Sequence, residues 1–67
     1  MKLLDVVAAL QDFSEGNVAR GQIGTIVGEL DKDNVLVEFA HIDGVAYAIL
    51  AIPRGMLMKL EHTPALA

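Results

Sequence analysis

Residues 34–52 read NVLVEFAHIDGVAYAILAI, two β-branched, apolar runs held apart by a polar step that ends in Asp43-Gly44. Asp-Gly between such runs is the strongest short hairpin signal, because a tight turn of the right hand needs residues that accept a positive φ. A chain committed to a hairpin here is committed to a sheet. In the first run Val35, Val37 and Phe39 share one face, and Leu36 and Glu38 share the other. The period of two is that of a half-buried strand.

The same logic extends in both directions. Residues 22–30 (QIGTIVGEL) form a further predicted strand, with Ile23, Thr25 and Val27 pointing one way and Ile26 and Gly28 the other. The polar run DKDN at 31–34 turns it into the next strand. After 45–52, Pro53 stops the strand because it has no N–H to donate, Arg54-Gly55 turns, and 56–61 (MLMKLE) supplies a last short strand. The opening residues 3–10 (LLDVVAAL) carry two patterns. Leu3, Val6, Val7 and Leu10 fall at helical spacing, whereas paired valines prefer a strand. Everything that follows is strand and turn, so a strand is predicted. Between 11 and 21 lies a polar loop with a Gly16-Asn17 turn signal and with Phe13 and Val18 as its expected anchors on the core.

Five short strands, one long loop and three tight turns predict an all-β chain, a small five-stranded antiparallel barrel of the SH3-like kind. Closure, full or partial, deals with the edges that an open sheet exposes. At 67 residues there is room for one domain, expected over 1–61, with 62–67 as a C-terminal tail.

The element RGQIGTIV, residues 20–27, spaces its glycines at 21 and 24, with a third at 28. A dinucleotide-binding loop needs G-x-G-x-x-G between a strand and a helix, and a P-loop needs a Gly-Lys-Ser/Thr ending; neither is present. An RNA-clamping G-x-x-G sits between two helices near basic residues, whereas these surroundings are acidic. The glycines are therefore expected to be architectural. Gly21 turns the chain at positive φ, Gly24 marks a bulge or a close backbone approach, and Gly28 permits strong coiling. Arg20 is expected to pin this turn by reaching an acid on the strand opposite.

Taken together, LLDVVAAL, RGQIGTIVGEL, VLVEF, the Asp-Gly turn and AYAILAIP resemble a family of short bacterial proteins catalogued as a domain of unknown function. The resemblance runs from Leu3 to about Leu60, and its most specific pieces are Arg20-Gly21, Gly24-Thr25-Ile26-Val27 and Val37-Glu38-Phe39. It implies an SH3-like barrel, a fold rather than an activity, and gives no catalytic residues to carry over. The R-G-x-x-G-T-I-V element is also similar to the glycine turn of other SH3-like barrels, including ribosomal and transcription-factor modules of the KOW type.

Composition narrows the function classes. The formal net charge is −4, and Lys2, Arg20, Lys32, Arg54 and Lys59 are scattered, so the basic footprint that nucleic-acid binding needs is missing. There is no cysteine, hence no disulfide and no thiolate ligand. Glu38, His41 and Asp43 are the only grouping with metal or acid–base potential, and they offer one histidine at a turn where a metal site asks for three protein ligands. Ser14, the only serine, has no evident base beside it. The charged run Asp31-Lys32-Asp33 reads as a solvated hairpin tip. No catalytic residue, metal, cofactor or small-molecule ligand is expected, and the chain is expected not to be an enzyme. The opening MKLLDVVAAL is interrupted by Asp5 and is not expected to be a signal peptide, no run is long enough for a membrane span, and a cytoplasmic location is expected.

What the composition leaves over is apolar surface. Apolar residues make up 54% of the chain, and every residue from 45 to 52 is apolar apart from the tyrosine hydroxyl. Such a strand calls for cover on both faces, and a chain this short has little to spare for the second. Val45, Tyr47, Ile49 and Ala51 are the candidate outward set, with Met56 and Met58 on the next strand as a candidate extension. The expectation is a protein-interaction module that self-associates as a homo-oligomer or docks on a partner protein. The alternatives are a small acidic antitoxin or immunity-type partner of a neighbouring gene product, suggested by size and charge, and a KOW-like nucleic-acid-binding barrel, which the charge opposes.

Overall fold

The computed structural model describes residues 1–40 and 46–60. Five strands follow in order: β1 Val6–Ala9, β2 Ile23–Glu29, β3 Asn34–Ala40, β4 Ala46–Pro53 and β5 Leu57–Lys59. Two single-turn 3-10 segments, Glu15–Asn17 and Arg54–Met56, lie in the long loop and between β4 and β5. The strands make one antiparallel sheet in the order β4-β3-β2-β1-β5. The expected all-β class and strand number hold, and this order is compatible with an SH3-like arrangement. The sheet is not closed: among the described residues no ladder joins β4 to β5.

Alternation along each strand builds the core. Val7, Ile26, Val35, Val37, Phe39 and Ile52 are wholly buried on one face, joined by Ala9, Ala48 and Leu57. Val18 from the long loop seals this face, with Phe13 beside it, and the two exchange backbone hydrogen bonds of 2.8 and 3.0 Å. Both loop anchors thus stand where the sequence puts them. No polar or charged residue is buried among those described, so the core makes no demand for internal hydrogen-bond partners.

β1 is shorter than the expected 3–10 segment, and helical spacing plays no part in it. Asp5 closes a turn before it: the Lys2 N–H donates to the Asp5 carboxylate (2.9 Å) and the Asp5 N–H to the Lys2 carbonyl (3.1 Å). Leu3 and Leu4 are left in that turn, with Leu4 at a φ of 70°. The β2–β3 register slips between Ile26 and Gly28, leaving Val27 as the extra residue of a bulge, and a second irregularity falls at Phe39–Ala40 against β4. Bulges increase local twist, which wraps this short sheet around its own core.

Gly24 pairs with Val7 on one side and Phe39 on the other. A Cβ there would stand 2.7 Å from Val37 Cγ1 and 2.9 Å from both the Glu38 carbonyl oxygen and Phe39 Cδ1. Of the two roles expected for Gly24, close approach is the one found. The bulge belongs to Val27.

Candidate interaction surface

Cross-strand partners share a face, so the register draws the outer face of the sheet row by row. One row runs Met58–Ala8–Ile23 across β5, β1 and β2. Its neighbour runs Val6–Thr25–Glu38–Ile49 across β1, β2, β3 and β4. Ile23 is 56% exposed, Ile49 53% and Met58 50%, with Val6, Leu10 and Val27 also well exposed. Ala8, set between Met58 and Ile23, is only 7% exposed. The two rows contain one ionisable side chain, Glu38.

The sequence-predicted interface residues divide. Ile49 and Ala51 are exposed, while Ala48 and Ile52 of the same strand are buried. Met58 is exposed on β5, but β5 adjoins β1 at the far end of the strand order from β4, so Met58 extends a surface with Ile23 rather than with Ile49. Met56 packs, partly buried, against the core. Val45 lies outside the described residues, as does the side chain of Tyr47. Sequence reasoning passed over Val6, Leu10 and Ile23; their signal was available, since residues 6–10 are as bare of polar side chains as 48–52.

The predicted turn residues also divide. Gly21 has a φ of 88°, a conformation that glycine adopts without strain. Arg20 joins the turn through its backbone, whose N–H donates to Asp12 Oδ1 at 2.7 Å. Gly21 N–H then donates to the Ala9 carbonyl at 2.7 Å, joining the turn to β1. A Cβ on Gly28 would meet Leu36 Cβ at 3.3 Å across the bulged ladder. Asp43, Gly44 and His41 lie outside the described residues. Glu38 is therefore the one member of the Glu38–His41–Asp43 grouping that the structure describes, and no group of three metal-ligating side chains occurs among the described residues.

Arg54 is the polar residue with the widest reach. Its Nη2 and Nε donate to the carbonyls of Asp31 (3.2 Å) and Lys32 (2.8 Å), and its backbone N–H to that of Asp33 (2.8 Å). Nη1 reaches the Met1 carbonyl at 2.7 Å, and Glu29 lies 3.6 Å from Nη2. The planar, five-donor guanidinium suits such a fan of acceptors, where a lysine could not. The turn it grips is already closed by Asp31, whose Oδ1 accepts from the N–H groups of Asp33 and Asn34 at 2.8 Å each. Those bonds, the Asp33 N–H first and then the Asn34 side chain, lower the Asp31 pKa from its ordinary 3.8. Asp5 is lowered too, first by the Lys2 N–H and further by Lys59.

A shallow depression between the long loop and β4 is lined by Asp12, Phe13, Ser14, Glu15 and Leu50 among others. Among the described residues its lining brings neither a histidine nor a lysine to Ser14.

A family model described as Domain of unknown function (DUF4926) matches residues 3–59. The chain belongs to this family. The DUF4926 match takes in all five strands, the Arg20-Gly21 turn and the Arg54 clamp. No curated protein and no solved structure matches the chain. Among the described residues, no helix of this DUF4926 protein is long and apolar enough to cross a membrane.

Proposed function

We infer that this DUF4926 protein is a non-enzymatic protein-interaction module that works through the outer face of its sheet, by self-association or by docking on a partner protein. The observation that carries this reading is the exposure of Val6, Ile23, Ile49 and Met58, each about half in water, in rows of the outer face whose one ionisable side chain is Glu38. An antiparallel sheet with one solvated face ordinarily alternates apolar with polar, and contiguous exposed apolar patches mark contact sites. The nucleic-acid alternative is weakened because Arg54 is spent on the chain's own carbonyls and Lys59 lies 3.7 Å from the Asp5 carboxylate.

The test is light scattering behind a sizing column across dilution, first on the protein alone and then with extract of its own cells. A mass above the 7.2 kDa monomer, or a stoichiometric complex, is expected. Whichever of these forms through the outer face should be lost in the double variant Ile23→Asp, Met58→Asp with the circular dichroism spectrum unchanged. A chain that stays monomeric and captures nothing that the double variant fails to capture refutes the reading.

A further inference from the structure

The strand order leaves two edges, and they are unlike. β5 is three residues long and ends on Lys59, whereas β4 is eight residues long and carries no charge. Charges, bulges and shortness are the usual protections of an edge strand. The one irregularity of the β3–β4 ladder lies at its Ala46 end, so residues 48–53 run without one.

The hydrogen-bond phase of β4 follows from its register. The Arg54 N–H donates to the Asp33 carbonyl (2.8 Å), which makes 33 and 54 a bonded pair. Bonded and non-bonded pairs alternate along an antiparallel ladder. The bonded pairs are then Val35↔Ile52, Val37↔Leu50 and Phe39↔Ala48, so the even-numbered residues of β4 face β3. Ile49 and Ala51 aim their N–H and C=O at the open edge. Pro53 fits this phase, since a proline is tolerated where its missing N–H would face outward. Among the described residues no backbone hydrogen bond beyond the β3 ladder reaches 48–52.

Separately from the outer face, we propose that the β4 edge pairs antiparallel with the β4 edge of a second copy, with Ile49 opposite Ile49 of the other chain at the twofold axis. In that register the two Ile49 residues exchange their edge-facing N–H and C=O bonds across the axis, and Pro53 falls beyond the bonded centre. A twofold pairing sets each residue near the axis against itself or a close neighbour, so any charge in the strand would meet its like. The β4 strand itself has none; Asp12 and Glu15 of the long loop line the depression beside Leu50 and Ala51 and add to the repulsion that salt must screen. The area sets the strength: eight residues at ~3.4 Å in a layer ~10 Å thick give roughly 300 Å² per copy, against ~800 Å² in a standard interface. The dimer is accordingly weak and concentration-dependent. Two chains of net charge −4 also repel at long range, so screening tightens the dimer, whereas docking on a basic partner would loosen with salt.

Sedimentation of the whole chain from about ten micromolar to about one millimolar, the range of weak interfaces, tests this. The expected result is a monomer–dimer equilibrium that strengthens as salt rises to about 0.5 M. Ala51→Pro, which removes an edge-facing N–H, and Ile49→Lys should each weaken it about tenfold or more, with the fold intact by circular dichroism. Mixing Ile49→Lys with Ile49→Glu chains should restore dimers of mixed composition. A monomer at every concentration overturns the edge pairing, as does a dimer indifferent to Ala51→Pro, because Ile49 belongs to the outer face as well as to the edge. If that indifferent dimer is instead dissolved by Ile23→Asp with Met58→Asp, the outer-face reading stands while the edge proposal falls.

Discussion

The two faces of this sheet are made from the same five strands and from much the same residue types, yet they have different work to do. Inside, Val7, Ile26, Val35, Val37, Phe39 and Ile52 are wholly buried. Outside, the intervening residues Val6, Ile23, Ile49 and Met58 are nearly as apolar and remain about half in water. Burying a side chain of this size contributes about 1.5–3 kcal/mol, and only the inner set collects most of that on folding. The stability of a chain this small rests on one face. The apolar character of the other has no folding task to explain it.

The comparison breaks most severely if the inner face tolerates bulk. Gly24 lies on that face between Val7 and Phe39, and Gly24→Val would drive a branched side chain into Val37, the Glu38 carbonyl and Phe39, all within 3 Å of its Cβ. Two of those atoms belong to the buried core and one is backbone, so none can swing aside. The expected outcome is severe destabilisation, since overpacking costs about 1–3 kcal/mol or more and a chain this small sits at the low end of the usual stability of about 5–15 kcal/mol. A thermal melt followed by circular dichroism reads it; a cooperative transition near the wild-type temperature would mean that the inner face is not close-packed there.

A smaller loss is expected at the rim. Arg54→Ala removes the donors that join the turn carbonyls of Asp31 and Lys32 to that of Met1. The guanidinium is partly in water, which replaces some of those bonds, so about 1–3 kcal/mol is expected in urea unfolding. Arg54→Lys should recover little of it, because an ammonium cannot span the fan. Equal stability of all three proteins would show that the inner face closes without this clamp.

Much of the fold was legible because its signals are local. β3 runs from Asn34 to Ala40, the bounds its alternation predicts, and β4 ends at Pro53. Phe13 and Val18 are the only large apolar residues in a polar loop, so their inward turn could be read. Leu3 and Leu4 misled because the apolar count there ignores Asp5, whose carboxylate favours a turn with Lys2 over continued pairing. The bulge at Val27 and the pairing of β5 with β1 are settled by distant strands and leave no local mark. Arg54 is the extreme case: its bond to Met1 spans 53 residues, and nothing around residue 54 announces it. At the surface, the apolar run of β4 could be read, but its distance from Met58 depends on strand order, which periodicity does not encode.

A pH titration separates the rim from the outer rows, where Glu38 is the one ionisable side chain among the described residues. Asp31 and Asp5 are lowered below 3.8 in the folded protein. Depressed carboxylates bind fewer protons folded than unfolded, so their contribution is present in full above the unfolded value. It is lost as pH falls through the folded one. Melting temperature should thus be flat near neutrality and decline below about pH 4. Asp31→Asn should flatten part of that decline while keeping a side-chain oxygen for the Asp33 and Asn34 N–H groups. An unchanged acid slope in the variant would place the sensitivity elsewhere, Asp5 first.

The smallest effect sharpens the comparison most. Ile23→Ser deletes an apolar side chain from a row where its partner Ala8 is already shielded from the other side by Met58. Because Ile23 is 56% exposed in the folded chain, less than half of its transfer free energy is gained on folding. Serine also lowers β-propensity, by a fraction of a kcal/mol. The expected cost is at most about 1 kcal/mol, against about 2–5 kcal/mol for Ile26→Ala on the inner face of the same strand. Urea unfolding of the two variants side by side makes the measurement. A loss at Ile23 as large as that at Ile26 would mean that the outer row is a second core, completed by residues of this chain. A small loss would leave its apolar character to be explained by contact with another molecule.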